Sequence, residues 1–147
     1  MPVIDIHHVA IRTADVEQTV RFYNEILGTH SVPRPDFLFP GAWISLGSTM
    51  VHLYGGAAAT GREGFVPVGS AAVDHIAIAA HDFDAMRGIL RDHDLDWREY
   101  DIKSFGLWQL FVHDPSGVLI ELNFTIANEP AGAKGPDGSR LYVAGEF

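Results

Sequence analysis

The chain has 147 residues, 47% hydrophobic and 20% charged, a balance that excludes a disordered chain and predicts a compact globular protein with a sizeable core. A formal net charge of −9, with its ten Lys and Arg residues scattered, excludes a nucleic-acid partner. No apolar stretch approaches the roughly 20 residues that cross a bilayer, and the N-terminal MPVIDIHHVAI lacks a basic region with a cleavable apolar segment. We therefore expect no membrane partner and a cytoplasmic protein. With no cysteine there is no disulfide and no thiolate, so any metal must be held by nitrogen and oxygen. The eight histidines become the residues to explain.

In chain order, HHVAIRTADVEQTVRFY from His7 is repeated as DHIAIAAHDFDAMRGIL from Asp74. Each copy predicts a strand, a cap and an amphipathic helix. Val16, Val20, Tyr23 and Leu27 form the first helical stripe, entered at Asp15 and stopped at Gly28. The segments WISLG and MVHLYGG follow as strands, and a Gly/Ala-rich linker covers 55–70. The second helix carries Phe83, Met86 and Leu90 after Asp82. LWQLFVHD and VLIELNF then form a hairpin around Asp114, Pro115, Ser116 and Gly117. Each half reads β-α-β-β-β. The predicted fold class is α+β, with two βαβββ modules in tandem, about 3–56 and 71–126, forming a cupped mixed sheet. They make one domain over 1–126, and 127–147 is a loop or arm without periodicity.

Strand alternation sorts these residues into faces. His8 shares a face with Ile6, Ala10 and, next along, Arg12; His7 points away. Met50, His52 and Tyr54 share a second face, His75 and Ala77 a third, and Leu119, Glu121 and Asn123 a fourth. The repeat makes His8 equivalent to His75, and His52 equivalent to Glu121. If the modules pair about a pseudo-twofold axis, these four side chains meet in one cup. A lone strand histidine is ordinarily a core or rim residue, but a carboxylate inside VLIELNF is costly to bury unless it is paired or metal-bound. We expect His8, His52, His75 and Glu121 to hold one divalent ion, Zn, Ni, Fe or Mn. Trp43, Phe39, Phe105 and Trp108 are candidate walls for a small-molecule substrate, beside Asn123, and Arg12 is a candidate partner for an anionic group. His30, His81, His93 and His113 fall at helix ends or turns and are expected to be solvated.

The openings HHVAI and DHIAI, the helix end FYNEILG and the closing FVHDPSGVLIELNF, in this order, resemble the vicinal oxygen chelate superfamily over 3–124. Its members include glyoxalase I, methylmalonyl-CoA epimerase, fosfomycin-resistance enzymes, extradiol dioxygenases and bleomycin-resistance proteins. The resemblance implies metal ligands at His8, His52, His75 and Glu121, or at His8, His75 and Glu121 alone. It also implies a homodimer and chemistry on a substrate chelated through neighbouring oxygens. A glyoxalase-like lyase or isomerase would use Glu121 or His52 as base. An Fe(II) extradiol dioxygenase would use His52 and Tyr54 beside a three-ligand metal. A drug-binding resistance protein is the third reading, weakened because such proteins generally lack the ligands kept here. His52 is a departure, since glyoxalase- and epimerase-like members usually carry Glu or Gln there.

Overall fold

The computed structural model describes residues 3–147, so Met1 and Pro2 at the start of the expected domain lie outside the described residues. The chain separates into two compact units, Met1–Gly69 with Asp114–Ser116, and Ser70–His113 with Gly117–Phe147.

The first unit contains β1 (His8–Arg12), α1 (Val16–Arg21), β2 (His30–Val32), β3 (Gly41–Leu46), β4 (Thr49–Tyr54) and a short α2 (Gly56–Thr60). Its mixed sheet has the order β1-β4-β3-β2, parallel between β1 and β4 and antiparallel elsewhere. Period-two alternation buries Ile11, Ile44, Val51 and Leu53, which pack with Thr19, Phe22, Tyr23 and Ile26 as the core. Asp15 caps α1 as expected, its carboxylate accepting from the Gln18 amide at 2.9 Å. The helix then widens into a π-helical segment, Phe22–Ile26. This corrects the expected stripe: the extra residue per turn brings Phe22, Tyr23 and Ile26 inward, while Val16, Val20 and Leu27 are only half-buried. The linker is likewise not all loop, since α2 lies within it.

The second unit repeats the plan with β5 (His75–Ala80), α3 (Phe83–Asp92), β6 (Arg98–Ile102), β7 (Leu107–His113) and β8 (Leu119–Thr125), in the order β5-β8-β7-β6. Phe83, Leu90, Leu110, Val112, Ile120, Leu122 and Phe124 are buried together on its helix-covered side. The α3 N-terminus differs from expectation. Asp82 is left-handed and makes no side-chain cap; the Glu129 carboxylate instead accepts from the Asp82 and Phe83 amides at 3.0 and 2.7 Å. Residue Glu129 belongs to the C-terminal segment, which is more than a free arm. Gly135 packs on Trp108, Asp84 accepts from the Lys134 and Gly135 amides, and Leu141 forms a parallel bridge to Glu99 at the β6 edge.

Two histidines are placed differently from expectation because strands begin earlier or run longer than the turn residues suggested. His30 opens β2 but is exposed, as expected, and His113 ends β7, half-buried with its ring 4.6 Å from Phe147. His81 and His93 are exposed, as expected.

Candidate functional site

In the first unit, β1 pairs with β4 so that Ala10 faces His52 and His8 faces Met50. His8 and His52 are therefore diagonal neighbours on one face, with ring centroids 3.9 Å apart and planes 16° from parallel. Trp43, directly across from His52 on β3, stacks on its other side at 4.4 Å and 5°. Thus His52 is a buried imidazole clamped flat between an indole and a second imidazole. Its Nε2 is buried without a hydrogen-bond partner among the described residues. Desolvation, followed by the charges of His8, His7 and Arg34, lowers its pKa below the usual histidine value and keeps the ring neutral. His7 precedes the strand, so alternation does not govern it, and its Nδ1 lies 2.9 Å from the His8 Nδ1. The aromatic surface continues through Phe39, 5.0 Å from Tyr54, and Phe37, with the Arg34 guanidinium over both phenylalanine rings.

In the second unit the register is the same: Ala77 faces Glu121 and His75 faces Leu119. His75 and Glu121 occupy the diagonal that His8 and His52 occupy in the first unit. His75 Nε2 is 3.0 Å from Glu121 Oε2, and its Nδ1 is 2.7 Å from Asp74 Oδ1. The other Glu121 oxygen accepts from Gln109 Nε2 at 2.8 Å and Asn123 Nδ2 at 2.7 Å, so the buried carboxylate is held by two amides. Phe111, across from Glu121 on β7, stacks on Tyr142 at 3.6 Å and 7°. Burial, then the Asp74 and Glu121 charges, raises the Tyr142 pKa above that of an ordinary phenol. Glu121, Gln109, Phe111 and Tyr100 line a cleft of about 460 Å³ with residues 141–144. Among the described residues no three His, Cys, Asp or Glu side chains form a metal-binding group; each unit offers a pair.

Residues 5–122 match the model of the Glyoxalase/Bleomycin resistance protein/Dioxygenase superfamily. The chain belongs to this superfamily. It is 26% identical over 123 residues to "Glyoxylase I 4" of Arabidopsis thaliana, covering 80% of this chain and 68% of that protein. Its fold matches the lactoylglutathione lyase of Agrobacterium tumefaciens with a TM-score of 0.64 and 17% identity, over 86% of this chain and 98% of that one. The genomically encoded fosfomycin resistance protein of Listeria monocytogenes gives a TM-score of 0.64 at 14% identity, over 83% and 93% of the two chains. The two four-stranded mixed sheets, each with its helix, are thus the tandem modules of the glyoxalase-like α+β fold.

Most of the sequence-predicted site residues of this superfamily member lie on two sheet faces. His8, His52, Tyr54 and Trp43 share one face of the first sheet; His75, Glu121 and Asn123 share one face of the second. Arg12 lies on the His8 face, but its guanidinium is 3.7 Å from Glu63, a linker carboxylate that competes with any anionic substrate. Trp108 is a correction. It pairs with Phe124 on the helix-covered face of β7, half-buried, and packs edge-on against Phe83, on the opposite side of the strand from Glu121. Phe105 is 80% exposed on a 3₁₀ turn. Sequence reasoning missed Asp74, Gln109, Phe111 and Tyr142. Gln109 and Phe111 were discoverable, because antiparallel pairing of LWQLFVHD with VLIELNF puts them on the Glu121 face. Among the described residues no helix is long and apolar enough to cross a membrane.

Proposed function

We propose that this chain is a metal-dependent enzyme of glyoxalase type, a lyase or isomerase that moves a proton on a small substrate held through two neighbouring oxygens. The observation that carries the reading is the contact between His75 and Glu121. When Asp74, 2.7 Å from Nδ1, takes the proton on that nitrogen, the Nε2 lone pair and a Glu121 carboxylate oxygen face each other at 3.0 Å and can share one cation. Donors bound to one ion at about 2.0–2.2 Å stand roughly 3 Å apart, so the pair is spaced as adjacent ligands. His8 joins His75 and Glu121 in the proposed ligand set through its equivalent register. Such donors suit Zn, Ni, Fe or Mn, and when bound the metal would supply Lewis acidity toward the substrate oxygens.

Gln109 and Asn123 fix Glu121 as an oriented ligand. The proton-accepting role is assigned to His52, whose neutral ring has a buried nitrogen with no other partner. His52 takes the proton from the carbon beside the substrate carbonyl and delivers it to the former carbonyl carbon, while the hydroxyl proton passes to the former carbonyl oxygen, so that carbonyl and hydroxyl exchange places. Tyr54 is assigned as a hydrogen-bond donor to the substrate. A homodimer and a cytoplasmic location belong to the same proposal.

The flat packing of His52 between Trp43 and His8 also favours a second reading, in which His8, His75 and Glu121 bind Fe(II) for extradiol ring cleavage. The test begins with metal analysis of protein purified without added metal. Proton exchange into a panel of 2-hydroxycarbonyl compounds in D₂O is then followed, with oxygen uptake on catechols after anaerobic Fe(II) loading. Stoichiometric Zn or Ni with exchange abolished by His52→Gln supports the first reading, and oxygen uptake supports the second. No stoichiometric metal, with no effect of Glu121→Ala, overturns both.

A further inference from the structure

The C-terminal segment leaves α3, where Glu129 and the Lys134 and Gly135 amides anchor it, and reaches the β6 edge. There Arg140 lies 3.8 Å over Trp97, and the Glu99 backbone bonds both Arg140 and Tyr142. Beyond that edge the segment contacts the Glu121 face of the sheet. Tyr142 lies flat on Phe111, and Phe147 meets both His113 and the Arg98 guanidinium. The strap is therefore held on both sides of Tyr142, and the wall it makes is already built before any ligand arrives. Its chemistry contrasts with the buried Glu121 beside it: Leu141 and Val143 are 57% and 43% exposed, and Tyr100 across the cleft is 41% exposed. Apolar surface left open around one carboxylate and two amides is the composition of a site for a ligand with an oxygen-rich head and an apolar body.

We propose that this strap is the substrate-selecting wall of the Glu121 site, with Tyr142, flanked by Leu141 and Val143, receiving the apolar substituent of a substrate whose neighbouring oxygens bind on the His75–Glu121 side. The inference rests on the chelating reading above and adds the class of substrate: a small molecule carrying an aromatic or branched apolar group. Tyr142 is a specificity residue here and takes no part in proton transfer.

Acetohydroxamate and benzohydroxamate present the same two chelating oxygens and differ in a methyl against a phenyl group, so their affinity ratio reads the wall alone. Calorimetric titration of the Ni(II)-loaded chain should give benzohydroxamate an advantage of about tenfold or more, as expected for burying a ring. Tyr142→Phe keeps this ratio. Tyr142→Ala brings it to within about twofold while leaving acetohydroxamate and Ni(II) affinities unchanged, and Val143→Ser lowers it without touching the Phe111 stack. A ratio unchanged in Tyr142→Ala and Val143→Ser overturns the wall. So does an equal loss of both hydroxamates and Ni(II). The chelating reading fails separately: if the metal-free chain discriminates as well as the loaded one, the wall stands and the chelate falls. If neither hydroxamate binds with or without metal, both fall.

Discussion

His75 and Glu121 are diagonal neighbours across the parallel β5–β8 pair, with Nε2 and Oε2 3.0 Å apart. The ring is fixed from behind by Asp74, which engages Nδ1 at 2.7 Å. A histidine held this way presents one nitrogen lone pair in one direction, the arrangement that raises ligand basicity at metal sites.

Asp74→Ala should therefore weaken metal binding by roughly ten- to a hundredfold with little change in folding. Asp74 is exposed, so its removal opens no cavity. Titration of Zn(II) or Ni(II) into the metal-free variant checks this. An affinity equal to that of the unmodified chain would remove Asp74 from the site.

Removing the carboxylate itself should abolish stoichiometric metal while sparing the fold. In Glu121→Ala, Gln109 Nε2 still donates to Asn123 Oδ1 at 3.0 Å, so the amides keep a partner. Loss of metal with a urea-derived unfolding free energy lowered by no more than about 1–2 kcal/mol is the expected result. Retention of stoichiometric metal would contradict the assignment.

The His52 pKa carries a signed consequence for stability in the metal-free chain. Burial lowers it below 6.5, so at acid pH the unfolded chain binds a proton that the folded chain resists. The stability this provides is complete above pH 6.5 and falls as pH drops below that value toward the lowered folded pKa. Urea unfolding at a series of pH values should show this acid limb in the unmodified chain and a shallower one in His52→Gln. Equal limbs would mean that His52 titrates normally.

Tyr23 gives the opposite sign. It is fully buried, its hydroxyl donates to Asp114 at 2.8 Å, and burial followed by the Asp114 charge raises its pKa well above 10.0. The folded chain keeps a proton that the unfolded chain releases, so the stability is present below about pH 10 and is lost as pH rises through the folded value. Tyr23→Phe should flatten the alkaline limb and cost about 1.5–3 kcal/mol at neutral pH, as for a hydrogen bond to a charged group. A pH profile identical to the unmodified chain would refute the coupling.

Much of this was legible in the sequence because period-two alternation and internal repetition are local signals. They indicated both modules and the faces of His8, His52, His75 and Glu121, and the ladder registers agree at each position. One of the two residues by which the repeat offset grows is visible as a longer β7–β8 turn than β3–β4 turn. Long-range partners leave no such trace. Glu129 capping α3 and Tyr142 on Phe111 join segments far apart in the chain, and 127–147 has no periodicity to betray them. The face of Trp108 is a further case: an aromatic residue near a site suggests a wall, whereas its pairing with Phe124 puts it on the side of the strand away from Glu121.

The anchoring of the strap is open to a matched pair of glycine substitutions. Gly135 and Gly28 both have positive φ, +66° and +72°, so alanine at either carries the left-handed cost of about 1–2 kcal/mol. Only Gly135 faces an obstacle as well. A Cβ there would stand 2.5 Å from Trp108 Cε2 and 2.6 Å from Cζ2, while at Gly28 nothing lies within 4 Å. The indole also meets the buried Phe83 ring edge-on at 5.6 Å, which opposes a shift in that direction. Gly135→Ala should therefore cost an additional 1–3 kcal/mol or so beyond Gly28→Ala, the usual penalty for overpacking. It should also raise amide exchange at Leu141 and Tyr142 as the strap loosens. Urea midpoints of the two variants, with exchange mapped on the same samples, decide the matter: equal destabilisation would mean that the strap is not seated on Trp108.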